Sequence, residues 1–178
     1  MKIVAISGSL RKASSNTAAL CAAARLAPAG VHVAMFDGIA GLPFFNPDLD
    51  GAVVPTTVAA FRDVIGGANG ILISSPEYAR GVAGVIKNAL DWLVASLEFP
   101  DKPVALLNTS PRATHALAAL RLTLETMSAR IVDEACVTLP LLGSASSEDD
   151  IVANEELAAP LRAAMSRFVT AIKARQDS

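Results

Sequence analysis

Cysteine is scarce in this 178-residue sequence. Cys21 and Cys136 are the only two, far apart and in no CxxC or metal-type spacing, which argues against a disulfide framework or a zinc site. Both are expected to be buried or half-buried thiols. Charge is sparse as well: 18% of residues are charged and the formal net charge is −2, so nothing draws the protein electrostatically to nucleic acid or to an anionic membrane. Apolar runs such as Gly70–Ser75 fall far short of the roughly 20 residues that span a bilayer. Met1 runs straight into an apolar stretch, with no charged leader, apolar core and small-residue cleavage site. A soluble, cytoplasmic protein is expected, with a small molecule as its partner and no nucleic acid or membrane.

Just over half of the residues are apolar, too many for intrinsic disorder. A chain of this length buries roughly 70% of the surface its unfolded form exposes, and one domain over residues 1–178 is expected. Lys2–Ser7 (KIVAIS) reads as a strand buried on both faces. An Ala- and Leu-rich helix follows over Asn16–Leu26, stopped near Pro28 and Gly30. Val31–Phe36 is a second strand, Pro43–Pro55 a long loop with three prolines, and Thr57–Ile65 a helix. Gly70–Ser75 is a third strand cut off by Pro76, Gly84–Leu97 a helix, Val104–Asn108 a fourth strand and His115–Met127 a helix. Ala129–Leu139 offers a fifth strand. The polar loop Ser144–Asp150 has an acidic end that suits the N-terminus of a last helix, Ile151–Ala174.

Strands alternating with helices at this spacing require a parallel sheet with right-handed crossovers and helices on both faces. The fold class expected is α/β, a three-layer αβα sandwich with a five-stranded parallel sheet in the flavodoxin-like order 2-1-3-4-5. Ligands of such sheets bind outside the carboxyl ends of the strands, beside the switch point between strands one and three. The loops after strands one, three and four are therefore the candidate site.

The first of these, Gly8–Thr17 (GSLRKASSNT), precedes a helix whose free N–H groups and positive dipole end face it. Ser9, Ser14, Ser15, Asn16 and Thr17 supply hydrogen-bond donors and Arg11 a charge-assisted contact, a set suited to a phosphate. Helix capping explains any one of these polar residues, but capping needs only a single side chain. The loop has neither the GxxxxGK[ST] of a P-loop nor the GxGxxG of a dinucleotide site.

The second loop, Ser74–Gly84, runs into Val85–Trp92. GSLRKASSN together with PEYARGVAGVIKNALDW resembles the NADPH-dependent FMN reductases, whose motifs read roughly GSLRxxSxN and PEYNxSxPGxLKNAxDW. The resemblance implies a flavodoxin-like fold, bound FMN, NADPH or NADH as co-substrate, and a homodimer or homotetramer. It also implies two-electron reduction of a flavin, quinone, azo compound or oxidised metal ion. By position, Ser9, Arg11, Ser14 and Asn16 would hold the FMN phosphate, with Ser15 and Thr17 beside them. Pro76, Glu77, Tyr78, Ala79, Arg80 and Gly81 would lie along the isoalloxazine ring. Ser110, in the loop Thr109–Arg112, would approach it from the other side. Three positions depart from the family: Ala79 replaces its Asn, Gly81 its Ser and Ala83 its Pro. Backbone N–H groups can still meet the ring there, and Gly81 permits close approach.

Other residues have plainer readings. Trp92 is expected in the core or at a subunit contact, and Lys87 and Asp91, spaced i and i+4, as a helix-surface ion pair. Arg80 and Arg112 are either solvated or drawn to the extra phosphate of NADPH. His115 belongs to no triad, and flavin chemistry needs none from the protein. Two further readings share the fold: a flavodoxin-type electron carrier, and a ligand-binding module without cofactor. The near-neutral charge and the arginines at both loops favour an anionic nicotinamide over the acidic face of a carrier.

Overall fold

The computed structural model describes residues 1–141 and 147–176, so the start of the polar loop expected from Ser144 lies outside the described residues. The alternating pattern folds into the expected sheet. Strands β1 (Lys2–Ser7), β2 (His32–Met35), β3 (Gly70–Ser74) and β6 (Pro103–Asn108) stand in the order β2-β1-β3-β6. Beyond them β7 (Arg130–Ile131) and β8 (Val137–Thr138) both pair with β6. Every pair in this sheet is parallel, which gives the flavodoxin-like order 2-1-3-4-5. Glu77–Tyr78 (β4) and Gly81–Val82 (β5) form a separate antiparallel hairpin.

Residues alternate across the sheet, and both faces are covered. Val4, Ile6, Ile71, Ile73, Val104 and Leu106 pack with α2 (Thr56–Gly66), α3 (Gly84–Asp91) and α4 (Thr114–Thr126). Ile3, Ala5, Leu72, Ala105 and Leu107 pack with α1 (Ser15–Arg25), α5 (Glu148–Ala153) and α6 (Glu155–Gln176). This is the three-layer sandwich expected. Among the described residues no helix is long and apolar enough to cross a membrane.

Three elements differ from the sequence expectation. The helix predicted over Gly84–Leu97 stops at Asp91, because Arg62 donates to the Trp92 carbonyl from Nε at 3.0 Å and Nη2 at 2.6 Å. The chain then tightens into turns with Leu93 N–H on Leu90 O and Ser96 N–H on Leu93 O. The last helix is two helices broken at Asn154, whose extended backbone and side chain start α6 anew, Oδ1 accepting from Glu156 N–H at 3.0 Å. Ser147 and Asp150 close a capping box at the head of α5, and these hydrogen bonds hold the Asp150 carboxyl below its ordinary pKa.

The fifth strand is the third difference: it is not continuous. A short 3-10 turn at Asp133–Ala135 splits it into β7 and β8, with Asp133 ion-paired to Arg121. The β6 groups facing it are served piecemeal. Val132 N–H reaches Val104 O at 2.9 Å and Leu139 N–H reaches Asn108 O at 2.8 Å. Between them the Leu106 N–H donates to Cys136 Sγ at 3.4 Å, and the thiol in turn donates to Val132 O at 3.5 Å. Burial pushes this thiol's pKa up, which keeps it protonated and able to donate.

Both cysteines are free and half-buried, as expected. Cys136 has a ladder role that spacing alone does not reveal. Substituting Cys136→Ala strips the Leu106 N–H of its partner and is expected to lower unfolding free energy by about 1–3 kcal/mol in urea titration. Cys136→Ser, which keeps an acceptor, should lose less. Unchanged stability of Cys136→Ala would show that the thiol does not bridge the gap.

Candidate functional site

The three central strands end side by side on buried polar residues: Ser7 on β1, Ser74 on β3 and Asn108 on β6. Ser7 Oγ shares a hydrogen bond with Thr17 Oγ1 at 2.8 Å, which ties the end of β1 to the first turn of α1. Ser74 Oγ donates to Asn16 Oδ1 at 2.8 Å, and Thr109 Oγ1, just past β6, donates to the same oxygen at 3.3 Å. Asn108 folds back on the third loop, donating from Nδ2 to Ser110 O at 2.8 Å and accepting from Ser110 N–H at 3.3 Å.

The first loop leaves β1 through Gly8, whose N–H is held by Ser74 O at 2.8 Å. A Cβ there would stand 2.7 Å from Ile86 Cγ1, so only glycine lets α3 approach this closely. Ser14 is the helix cap: its Oγ accepts from Thr17 N–H at 3.3 Å. Capping thus occupies one side chain. The Ser15 and Asn16 N–H groups and the Arg11 guanidinium have no partner among the described residues, while Ser9 Oγ accepts from Arg11 N–H at 3.4 Å. One turn along α1, burial and a hydrogen bond to Glu148 raise the pKa of the Cys21 thiol, so it is no ready nucleophile.

The second loop is the β4–β5 hairpin. Its two-residue turn, Ala79–Arg80, has φ of +50° and +59°, the left-handed pair that such turns require and that Asn and Gly adopt most easily. Glu77 sends its carboxylate away from the hairpin to α4, where Oε2 accepts from Ala116 N–H at 2.9 Å. That carboxylate fixes the second loop to the start of the helix behind the third loop. Tyr78 is 54% exposed. A cavity of about 340 Å³ separates the second and third loops, lined among others by Asn16, Pro76, Glu77, Thr109, Ser110 and Arg112.

A larger groove of about 1000 Å³ lies on the other side of the hairpin, between Leu10, Arg11 and Tyr78 and the loop Leu42–Phe45, with Lys87 and Asp91 at its wall. Asn88 and Trp92 pin that loop. Asn88 accepts from Phe45 N–H at 2.8 Å, and Trp92 Nε1 donates to Pro43 O at 2.7 Å. Trp92 is fully buried and meets Phe45 edge-on, which settles it in the core. Lys87 and Asp91 form the expected ion pair at 2.5 Å.

The predicted residues therefore gather at one edge of the sheet. Tyr78 lines the larger groove, while Ala79, Arg80 and Gly81 belong to the hairpin and line neither space. Ser9, Arg11, Ser14, Ser15, Asn16 and Thr17 lie in the loop and first turn that open α1, and Pro76, Glu77 and Ser110 line the smaller cavity. Asn16 does both, through its backbone N–H and its side chain. Arg80 and Arg112 are exposed with no side-chain partner among the described residues, and His115 is exposed. Sequence reasoning put Ser74 and Thr109 at the start of the second and third loops without giving either a partner, and gave Asn108 no role. The signal for Ser74 and Asn108 was present: each ends an apolar strand as a small polar residue.

Comparison with known proteins extends this picture. Residues 1–141 match the family described as NADPH-dependent FMN reductase. An NAD(P)H-dependent FMN reductase of Pseudomonas aeruginosa, PA1204, is 42% identical over 112 residues, which cover 62% of this chain and 60% of that protein. A quinone reductase of Pseudomonas putida is 32% identical over 96% of this chain and 94% of its own. Among solved structures, the flavoenzyme NAD(P)H:(acceptor) oxidoreductase FerB of Paracoccus denitrificans superimposes with a TM-score of 0.78 at 28% identity, covering 97% of both chains.

The hairpin turn supplies a prediction of its own. Alanine in the left-handed region is strained, so Ala79→Gly or Ala79→Asn should raise unfolding free energy by about 0.5–1 kcal/mol. Chemical denaturation of the purified protein measures it, and a lower stability for Ala79→Gly would show that the turn is not strained.

Proposed function

The chain belongs to the family of NADPH-dependent FMN reductases, and from that premise we propose an FMN-dependent NAD(P)H oxidoreductase that passes two electrons to a small acceptor. A flavin, a quinone, an azo compound and an oxidised metal ion are the acceptor types this covers. The observation that carries the reading is the head of α1, where the N–H groups of Ser15 and Asn16 have no partner among the described residues, at the end of a loop whose Arg11 guanidinium has none among them either. This donor set fits a phosphate monoester: backbone amides and a helix dipole supply its oxygens with hydrogen bonds, and Arg11 adds a charge-assisted one.

In this reading Ser9, Arg11, Ser14, Ser15, Thr17 and the Asn16 backbone hold the FMN phosphate. Pro76, Glu77, Tyr78, Ala79, Arg80 and Gly81 border the ring from the second loop, and Ser110 borders it from the third. The redox chemistry, two electrons taken from a nicotinamide and delivered to the acceptor, is what the FMN supplies. The protein's own part is to fix the phosphate, to wall the ring between two loops and to leave one approach open. Arg80 and Arg112, exposed beside that approach, attract the anionic NADPH or NADH.

The groove lined by Leu10, Tyr78 and Phe44, the last 91% exposed, supports a homodimer that covers this apolar face, alone or as half of a homotetramer. The protein's place of work in this reading is the cytoplasm.

The purified protein is expected to show flavin absorbance, or to acquire it on adding FMN, and to reduce a quinone with NADPH. Rapid mixing with NADPH should bleach the flavin without any partner reductase, which an electron carrier would not do. Arg11→Ala is expected to weaken FMN binding about tenfold or more, the scale of a lost charge-assisted contact, and to leave riboflavin binding nearly unchanged. A protein that binds no FMN and reduces no quinone when FMN is added would overturn the assignment.

A further inference from the structure

The carboxamide of Asn16 lies where α1 crosses the ends of β3 and β6. Its oxygen is doubly occupied, accepting from Ser74 Oγ at 2.8 Å and from Thr109 Oγ1 at 3.3 Å. Ser74, Thr109 and Asn16 are all buried. With both hydroxyls on the oxygen, the NH2 group points the other way and stands there as a donor. It has no partner among the described residues, and Asn16 lines the cavity between the second and third loops.

We propose that Ser74 and Thr109 are positioning residues that hold the Asn16 amide as a donor to the ribityl or ring portion of the flavin, and not to its phosphate. This rests on the FMN reading. Three facts favour it. Asn16 shares its cavity with Pro76, Glu77 and Ser110 of the two ring-side loops, while Ser14 and Thr17 line a different depression on the outer side of α1. In the FMN reading the phosphate end already has the Ser15 and Asn16 backbone amides and Arg11 as donors. The hydroxyls on this side chain come from the end of β3 and from the residue just past β6, where the loops that enclose the cavity begin.

Affinities for FMN and for riboflavin, which has the same ring and ribityl chain without the phosphate, separate the possibilities when read by quenching of flavin fluorescence. Ser74→Ala and Thr109→Val should each weaken both flavins by a similar factor, about three- to tenfold. Thr109→Ser, which keeps the hydroxyl and removes only a methyl group, should bind both like wild type. A purely packing role for Thr109 gives the reverse, since valine matches its shape and serine does not, and would overturn the proposal. So would a loss confined to FMN, which would put the amide on the phosphate, or no loss for Ser74→Ala. Failure of the wild-type protein to bind either flavin would instead remove the functional reading on which the proposal stands.

Discussion

Buried polar groups must find partners, and three adjacent strands of this sheet end on them. Ser7, Ser74 and Asn108 stand at the carboxyl ends of β1, β3 and β6 with the apolar core directly behind. An unsatisfied hydroxyl or amide in such a place costs about 1–3 kcal/mol, so each reaches sideways or upward: Ser7 to Thr17, Ser74 to Asn16, Asn108 to the Ser110 backbone. These reaches fix how the first turn of α1 and the third loop sit over the sheet. The candidate site is in this sense the boundary of the core, the level at which side-chain packing gives way to hydrogen bonding.

From that boundary the rest of the site is placed by secondary contacts of the same kind. The Glu77 carboxylate takes the N–H of Ala116 at the head of α4, which ties the second loop to the helix behind the third loop. Gly8 admits Ile86 of α3 against the first loop. Asn88 of α3 and Trp92 just past its end hold the Pro43–Phe45 backbone that walls the large groove. The α3 segment thus braces both the first loop and the groove. Helices on one face of the sheet and α1 on the other converge on the same edge, which a parallel sheet makes unavoidable.

Much of this was legible from residues. Strand order, layer count and the location of the loops follow from alternation and from the handedness of crossovers, and the donor-rich loop before α1 is visible as GSLRKASSNT. What escaped depends on tertiary partners that no local pattern carries. The amphipathic run through Leu97 continues past Asp91, yet Arg62, some thirty positions earlier, occupies the Trp92 carbonyl and ends the helix. The fifth strand reads as one apolar segment, but Asp133 pairs with Arg121 and a thiol stands in for the missing ladder acceptor. The β4–β5 hairpin was hidden because Ala79–Arg80 is not a turn dipeptide by propensity. Its geometry is imposed by the strands on either side.

The three departures from the family pattern differ in what they ask of the backbone. At position 83 the backbone has φ of −56°, which proline would share. But the Ala83 N–H donates to Ser75 Oγ at 3.4 Å, a tether that proline cannot make. Alanine there exchanges rigidity for a hydrogen bond and leaves the head of α3 in place. At position 81 a Cβ would meet only the Tyr78 carbonyl oxygen at 3.5 Å, an ordinary contact, and the φ is not positive. The backbone does not demand glycine, so its effect is to remove a hydroxyl and open space along the hairpin. At position 79 the left-handed backbone suits asparagine better than alanine, so the fold itself gains nothing from the change. Two of the three departures thus strip polar side chains from the loop that borders the cavity while leaving its backbone course intact. They bear on what approaches the site more than on whether the site forms.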